Sequence, residues 1–153
     1  LKDDTVLVDS GVQLPQLIAD TINHNLSGLE EFTYIPSTIG GAIFGNIHGI
    51  NKNNFNRFLE KITIFNRKTK KITDLDPRLM KWNYDNSEFK SNPDLVIVSA
   101  IIKLSPGEKN ISKKIVKEIL AKKTSTQSMN SQVPPLKILQ TMPQVELLTK
   151  NLV

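Results

Sequence analysis

Apolar and polar positions follow two periods along this chain, and the places where the period changes divide it into elements. Thr5-Val6-Leu7-Val8 is a short apolar run closed by Asp9-Ser10-Gly11, the pattern of a buried strand ending in a turn. Leu14, Leu17, Ile18 and Ile22 then recur at helical spacing, with Pro15 in the first turn and Asn23-His24-Asn25 at the end. Alternation returns over Glu60–Asn66, with Ile62, Ile64 and Phe65 as inward candidates. Arg67-Lys68-Thr69-Lys70 reads as a turn and Lys71-Ile72-Thr73 as the partner strand. Asp76–Met80 reads as a helical turn. Leu95–Ile102 is the longest β-branched run and the strongest strand, closed by Pro106-Gly107. Ile111, Ile115, Val116, Ile119 and Leu120 predict an amphipathic helix to about Lys123, covering the sheet with one apolar stripe. Thr124–Pro135 reads as a linker, and Leu136–Val153 as a tail able to pack on the domain or on a partner. The order predicts an α+β fold over 1–127, a mixed or antiparallel sheet with covering helices, followed by a linker and tail over 128–153.

Ser27–Gly49 obeys neither period. It holds five of the seven glycines, Gly28, Gly40, Gly41, Gly45 and Gly49, among hydroxyl and apolar residues. Glycine lets a backbone approach a ligand closely, so this segment reads as a loop able to aim amides at an anion.

Composition narrows the chemistry. With 153 residues, 39% of them hydrophobic and 23% charged, the chain suits one domain with a real core. No apolar run reaches the roughly 18 residues of a membrane span. The acidic start is unlike a signal peptide, and a start without methionine fits a processed or excised piece. The absence of cysteine excludes disulfides and thiolate chemistry, and fits the cytoplasm or another reducing compartment. The net charge of +5 is spread over clusters such as Arg67–Lys71 and Lys113–Lys123, read as solvated faces, so nucleic acid is expected only within a larger assembly. His24 and His48 lack partners at metal-ligand spacing, so no metal site is expected. Of the adjacent pair, Glu31 is expected in solvent, and Trp82 and Tyr84 in the core.

Gly28-Leu29-Glu30 through Asn46, with Ile35-Pro36-Ser37-Thr38-Ile39-Gly40-Gly41-Ala42 at its centre, resembles the G-L-E-x-x-x-G-I-P-G-T-x-G-G-A-x-x-x-N motif of the UDP-N-acetylenolpyruvoylglucosamine reductases, the MurB family. Val8–Leu14 resembles the strand and helix before that motif. Tyr84-Asp85-Asn86-Ser87-Glu88-Phe89 resembles the family's Y-R-x-S-x-F, and Lys123–Gln127 its R-x-x-T-Q, so the likeness covers residues 5 to 127. It implies the central FAD-binding subdomain of a vanillyl-alcohol-oxidase-like (PCMH-type) flavoprotein, with Ile35, Pro36, Ser37, Thr38, Ile39, Gly40, Gly41, Ala42, Asn46, His48 and Val98 at the flavin. It also implies NADPH as hydride source, an enolpyruvyl nucleotide-sugar substrate and a role in peptidoglycan synthesis. Ser37 stands where the motif has glycine, and Asp85 where it has the substrate-binding arginine beside Tyr84. The family's phosphate-loop and substrate domains have no counterpart here, so no catalytic residue is assigned. Two further expectations stand beside this one. One is a flavin-free fold serving as a structural or interaction subunit. The other is an FAD-dependent sugar or aldonolactone oxidase, because Ile39–Ile43 with Asn46-Ile47-His48-Gly49-Ile50-Asn51 also resembles that branch's V-G-G-A-I-x-x-D-I-H-G-K-N.

Overall fold

The computed structural model describes residues 4–127; the expected linker and tail over 128–153 lie outside the described residues. The chain runs β1 (Thr5–Asp9), α1 (Leu14–Asn23), β2 (Leu26–Ser27), α2 (Ile39–Gly45), β3 (Leu59–Asn66), β4 (Lys71–Leu75), β5 (Trp82–Asn83), β6 (Asn86–Ser87), β7 (Leu95–Lys103), β8 (Ser105–Pro106) and α3 (Lys109–Gln127). Single 3-10 turns sit at Glu30–Phe32, Phe55–Phe58, Pro77–Leu79 and Glu88–Ser91. β1, β7, β3 and β4 form one antiparallel sheet in that order, so the expected α+β architecture holds.

The β-branched run of β7 takes a central place because it pairs on both edges, Val8 with Ala100 on one side and Ile62 with Ala100 on the other. Side chains alternate across a strand. Val8, Ile62, Ile64, Ala100 and Ile102 therefore share the inner face, where each is almost fully enclosed. α1 lays Leu14, Leu17, Ile18 and Ile22 against that core, as its spacing predicts. Phe32 and Phe55 close it with rings edge to face at 5.4 Å. Each such aliphatic or aromatic side chain contributes about 1.5–3 kcal/mol when taken from water.

The sheet's outer face is open, and β1 is not the buried strand expected: Leu7 is 71% exposed, with Ile72, Val96 and Val98 also exposed. Phe65 pairs with Ile72 and Val96 and is half-buried on this outer face, not inward. Pro106 continues into the short β2–β8 pairing instead of a turn.

α3 presents a different face from the one its stripe predicts. Ser112 and Ile119 are buried with Val116 half-buried, whereas Ile111 and Ile115 are exposed. The reason is polar: Ser112 Oγ donates to buried Glu30 Oε1 at 2.6 Å, which fixes the helix's rotation. The helix also runs on to Gln127, past the expected start of the linker at Thr124. Among the described residues, no helix is long and apolar enough to cross a membrane.

Candidate functional site

The glycine-rich segment contains a helix that the period of its residues hides. Gly40, Gly41 and Gly45 disfavour helix by about 1 kcal/mol each relative to alanine. α2 forms nonetheless because both ends are capped and one face is buried. Thr38 is the extended N-cap, its Oγ1 accepting from the Gly41 amide at 3.1 Å. Asn46 ends the helix in the left-handed region at φ 45°, a conformation asparagine tolerates better than most residues. Between them Ile39, Ala42 and Ile43 fill the core. Seven residues make a rod about 10 Å long, and the candidate residues gather at its two ends.

At the N-terminal end lie Ser37, Thr38, Gly40 and Gly41, joined by Ser10. The Gly40 amide donates to the Ser10 carbonyl at 2.8 Å, and the Ser10 amide to that of Val98 at 2.8 Å. A side chain on Gly40 would meet Ser10 Cβ at 3.0 Å, so protein packing requires this glycine. A loop with free amides is not what forms here. Ile35 donates to Phe32, Ser37 to Ile35, Ile39 to Val12, Gly40 to Ser10, Gly41 to Thr38 Oγ1 and Ala42 to the Thr38 carbonyl. Ile39, Ala42 and Asn46 are wholly buried and position the segment from the core. Ser37, Thr38 and Gly40 remain half-exposed, and Pro36, Gly41 and Val98 exposed. The Thr38 hydroxyl oxygen accepts, so its own proton is uncommitted among the described residues.

At the C-terminal end, Asn46 ties three segments together from the interior. Its Nδ2 donates to the Asn83 carbonyl at 2.8 Å and its Oδ1 accepts from the Asn56 amide at 3.1 Å. β5 and β6 form a hairpin whose two tip residues are Tyr84 and Asp85, the latter at φ 51°. Trp82 Nε1 donates to the Pro77 carbonyl and Ser87 Oγ to that of Phe44, so the hairpin is clamped onto α2. Its tip reaches His48. His48 Nδ1 lies 2.6 Å from Asp85 Oδ1, Tyr84 Oη lies 2.8 Å from His48 Nε2, and the two rings stack with centroids 4.5 Å apart. His48 thus has the carboxylate partner its sequence neighbourhood lacks, and Tyr84 is exposed, not in the core.

The loop after His48 is pinned by Glu31, which is buried, not solvated as expected. Its Oε1 and Oε2 accept from Asn53 Nδ2 and its Oε2 from the Asn51 amide. Gly49 lies flat against that carboxylate, where a Cβ would come within 2.4 Å of it. Adjacent Glu30 accepts from the Gly28 amide at 2.7 Å and from Ser112, so the two carboxylates serve opposite sides of one 3-10 turn. Tyr34 stands nearby, its phenol pushed above the usual range by burial and then by the charge of Glu31, Tyr84 and Asp85. Lys123 Nζ sits 4.1 Å from the centre of the Tyr34 ring. His24 is exposed, with Nδ1 at 2.8 Å from the Asp20 carbonyl. Among the described residues no cluster of three or more histidines, cysteines and carboxylates is suited to a metal ion.

The candidates were visible in the sequence singly; their pairing was not. Thirty-seven residues separate His48 from Asp85. The one local signal is the two-residue hairpin tip, which forces Tyr84 and Asp85 outward together. Ser10 and Glu31 carried no signal beyond polarity.

The antiparallel sheet, the capped glycine helix and the hairpin clamped to it make one α+β unit that carries every candidate residue described above. The crystal structure of UDP-N-acetylenolpyruvylglucosamine reductase (MurB) from Thermus caldophilus matches with a TM-score of 0.70 and 23% identity, over 81% of this chain and 45% of that one. The chain is a distant relative of the UDP-N-acetylenolpyruvoylglucosamine reductases over part of their length. The one from Thermosipho melanesiensis is 27% identical over 129 residues, 84% of this chain and 43% of its own. Those from Carboxydothermus hydrogenoformans and Clostridium tetani are each 31% identical, over 81% and 84% of this chain and 40% and 41% of theirs. The chain spans about two fifths of the length of these curated relatives. No protein-family model matches it.

Proposed function

We propose that this chain is the FAD-holding portion of a flavin oxidoreductase of the MurB type, working with segments or partners that supply the rest of the active site. One observation carries the reading. The two stretches that resemble the family's motifs, Gly28–Asn46 and Tyr84–Phe89, are far apart in sequence yet clamped to one seven-residue helix through Asn46 and Ser87. Gly41, bare and exposed, leaves room for a flat ligand against the backbone; a Cβ there would crowd Ser37 Oγ at 2.8 Å. Ser37, Thr38, Gly40 and Gly41 would hold the cofactor, the Thr38 hydroxyl donating to it, with Val98 beside Ser10 at the edge. Ile35 and Pro36 lead into that surface, and Ile39, Ala42 and Asn46 support it from the core. FAD, when bound, supplies the hydride chemistry, and the protein supplies position and surroundings. NADPH as reductant and an enolpyruvyl nucleotide-sugar as substrate belong to the same reading, as does a place in peptidoglycan synthesis.

A second reading, a flavin-free fold retained as a structural subunit, is favoured by the six amides between Ile35 and Ala42 that already donate within the chain. The visible spectrum of the protein as purified separates the two. A flavin band, with FAD released on denaturation, supports the first. A colourless protein that also rejects added FAD supports the second.

A further inference from the structure

Asp85 stands where the resembling motif has an arginine, and in place of a cation reaching out to a ligand the hairpin tip builds a chain of three side chains. An ionised Asp85 can only accept a hydrogen bond, so His48 Nδ1, 2.6 Å away, carries a proton. In the neutral imidazole Nε2 is then bare and accepts the Tyr84 hydroxyl at 2.8 Å. In that tautomer the hydrogen bonds run from phenol to imidazole to carboxylate. His48 is held by the Phe55-to-Ile47 and Gly49-to-Asn53 backbone bonds on either side, and by the ring of Tyr84 stacked on it. Both ends face outward, Tyr84 58% exposed and the Asp85 side chain 51%.

We propose that Tyr84, His48 and Asp85 form a proton relay whose working atom is Tyr84 Oη, serving the uncharged, hydroxyl-bearing end of a ligand. When a ligand hydroxyl gives its proton to Tyr84 Oη, the tyrosine's own proton passes to His48 Nε2, and the imidazolium formed is paired with the Asp85 carboxylate. The reverse sequence returns a proton to the ligand. A nucleophile-activating base oriented by a carboxylate follows the same logic elsewhere. The ligand class follows from charge. Among the described residues no arginine contact reaches the tip: Arg78 pairs with Asp76 and Arg57 lies over Phe58. The other ionisable groups around the tip are Glu31, Tyr34 with Lys123 over its ring, and Lys90, whose Nζ donates to the Asp85 carbonyl at 2.6 Å. A diphosphate at Tyr84 would face a carboxylate; a sugar-like hydroxyl would not. The inference rests on the proposed flavin site only for where a ligand's reacting end lies.

The test uses acetylation by N-acetylimidazole, read at Tyr84 and Tyr34 by peptide mass spectrometry without any flavin. His48→Gln is expected to slow Tyr84 acetylation about tenfold, below the roughly 100-fold of a base in a closed site because this one is open to water. Asp85→Asn is expected to slow it by a smaller factor, and Tyr34 to react at an unchanged rate in His48→Gln, which reports an intact fold. D-glucose is expected to protect Tyr84 and inorganic pyrophosphate not to. An unchanged Tyr84 rate in His48→Gln overturns the relay. Protection by pyrophosphate, or by neither probe, overturns the ligand class. A colourless protein that keeps the rate difference retains the relay and loses the flavin reading; a flavin-bearing protein without the difference does the opposite.

Discussion

The two ends of α2 solve opposite problems. At the N-terminal end the backbone closes on the protein itself: Gly40 is pressed onto Ser10, and the Gly41 amide is taken by the Thr38 side chain. At the C-terminal end the polar groups are brought together from distant segments and left facing outward, as His48, Tyr84 and Asp85 are. The end richest in glycine is thus the more self-satisfied, and the end with an ordinary hairpin is the more reactive. Glycine permits close approach without saying whether a ligand or another strand makes it.

The sharpest way to break this contrast is through Asn46, which holds the open end together while wholly buried. Asn46→Ala removes two buried hydrogen bonds, strands the Asn83 carbonyl and the Asn56 amide, and puts alanine at φ 45°. A loss of about 2–5 kcal/mol is expected, measured as a lowered urea midpoint, with loss of the His48–Tyr84 stacking shifts in NMR spectra. Gly49→Ala comes next. Its Cβ would press on the Glu31 carboxylate, which Asn51 and Asn53 hold in place, and about 1–3 kcal/mol should be lost.

The closed end is probed by a pair. Gly40→Ala meets Ser10 backbone and Cβ, and should destabilise by about 1 kcal/mol or more. Gly41→Ala crowds only the Ser37 hydroxyl, at 2.8 Å, the end of a short side chain, against a gain of up to about 1 kcal/mol in helix propensity. Its thermal midpoint should stay near that of the parent. Equal losses in the two would erase the distinction between a glycine needed for packing and one needed for access.

The smallest effect lies far from either end. The Asp74 carboxyl is held below the usual carboxylate range by hydrogen bonds from Lys61 and Thr63, and Asp76 by its bonds from Arg78. Groups whose folded pKa is depressed contribute stability above their unfolded pKa and lose it as pH falls through the folded one. Both pairs lie at the surface, so Asp74→Asn should flatten the acid limb of a stability profile only slightly and leave neutral pH nearly unchanged.

Much of this fold is legible from period alone. α1 buries the four residues its spacing selects, and β3, β4 and β7 lie where alternation and β-branching place them. The failures share a cause. α2 is invisible because three of its seven residues are glycines, and caps rather than propensity sustain it. α3 turns Ser112 inward to Glu30 and leaves Ile111 and Ile115 of its apolar stripe exposed. Glu31 is buried because two donors from a loop 20 residues later, the Asn51 amide and Asn53 Nδ2, hold its carboxylate. Each depends on a polar contact across the fold, which no local pattern encodes. Tyr84, Asp85 and His48 could be singled out by type and motif, but not their mutual distances.

The most direct test is an equilibrium titration of the protein with FAD, followed by the fluorescence of Trp82, its single tryptophan, which lies in the hairpin clamped to α2. Saturable quenching is expected, weakened about tenfold by Gly41→Ala although that variant stays folded. Quenching that never saturates, or that is identical in Gly41→Ala, would contradict a cofactor lying along α2.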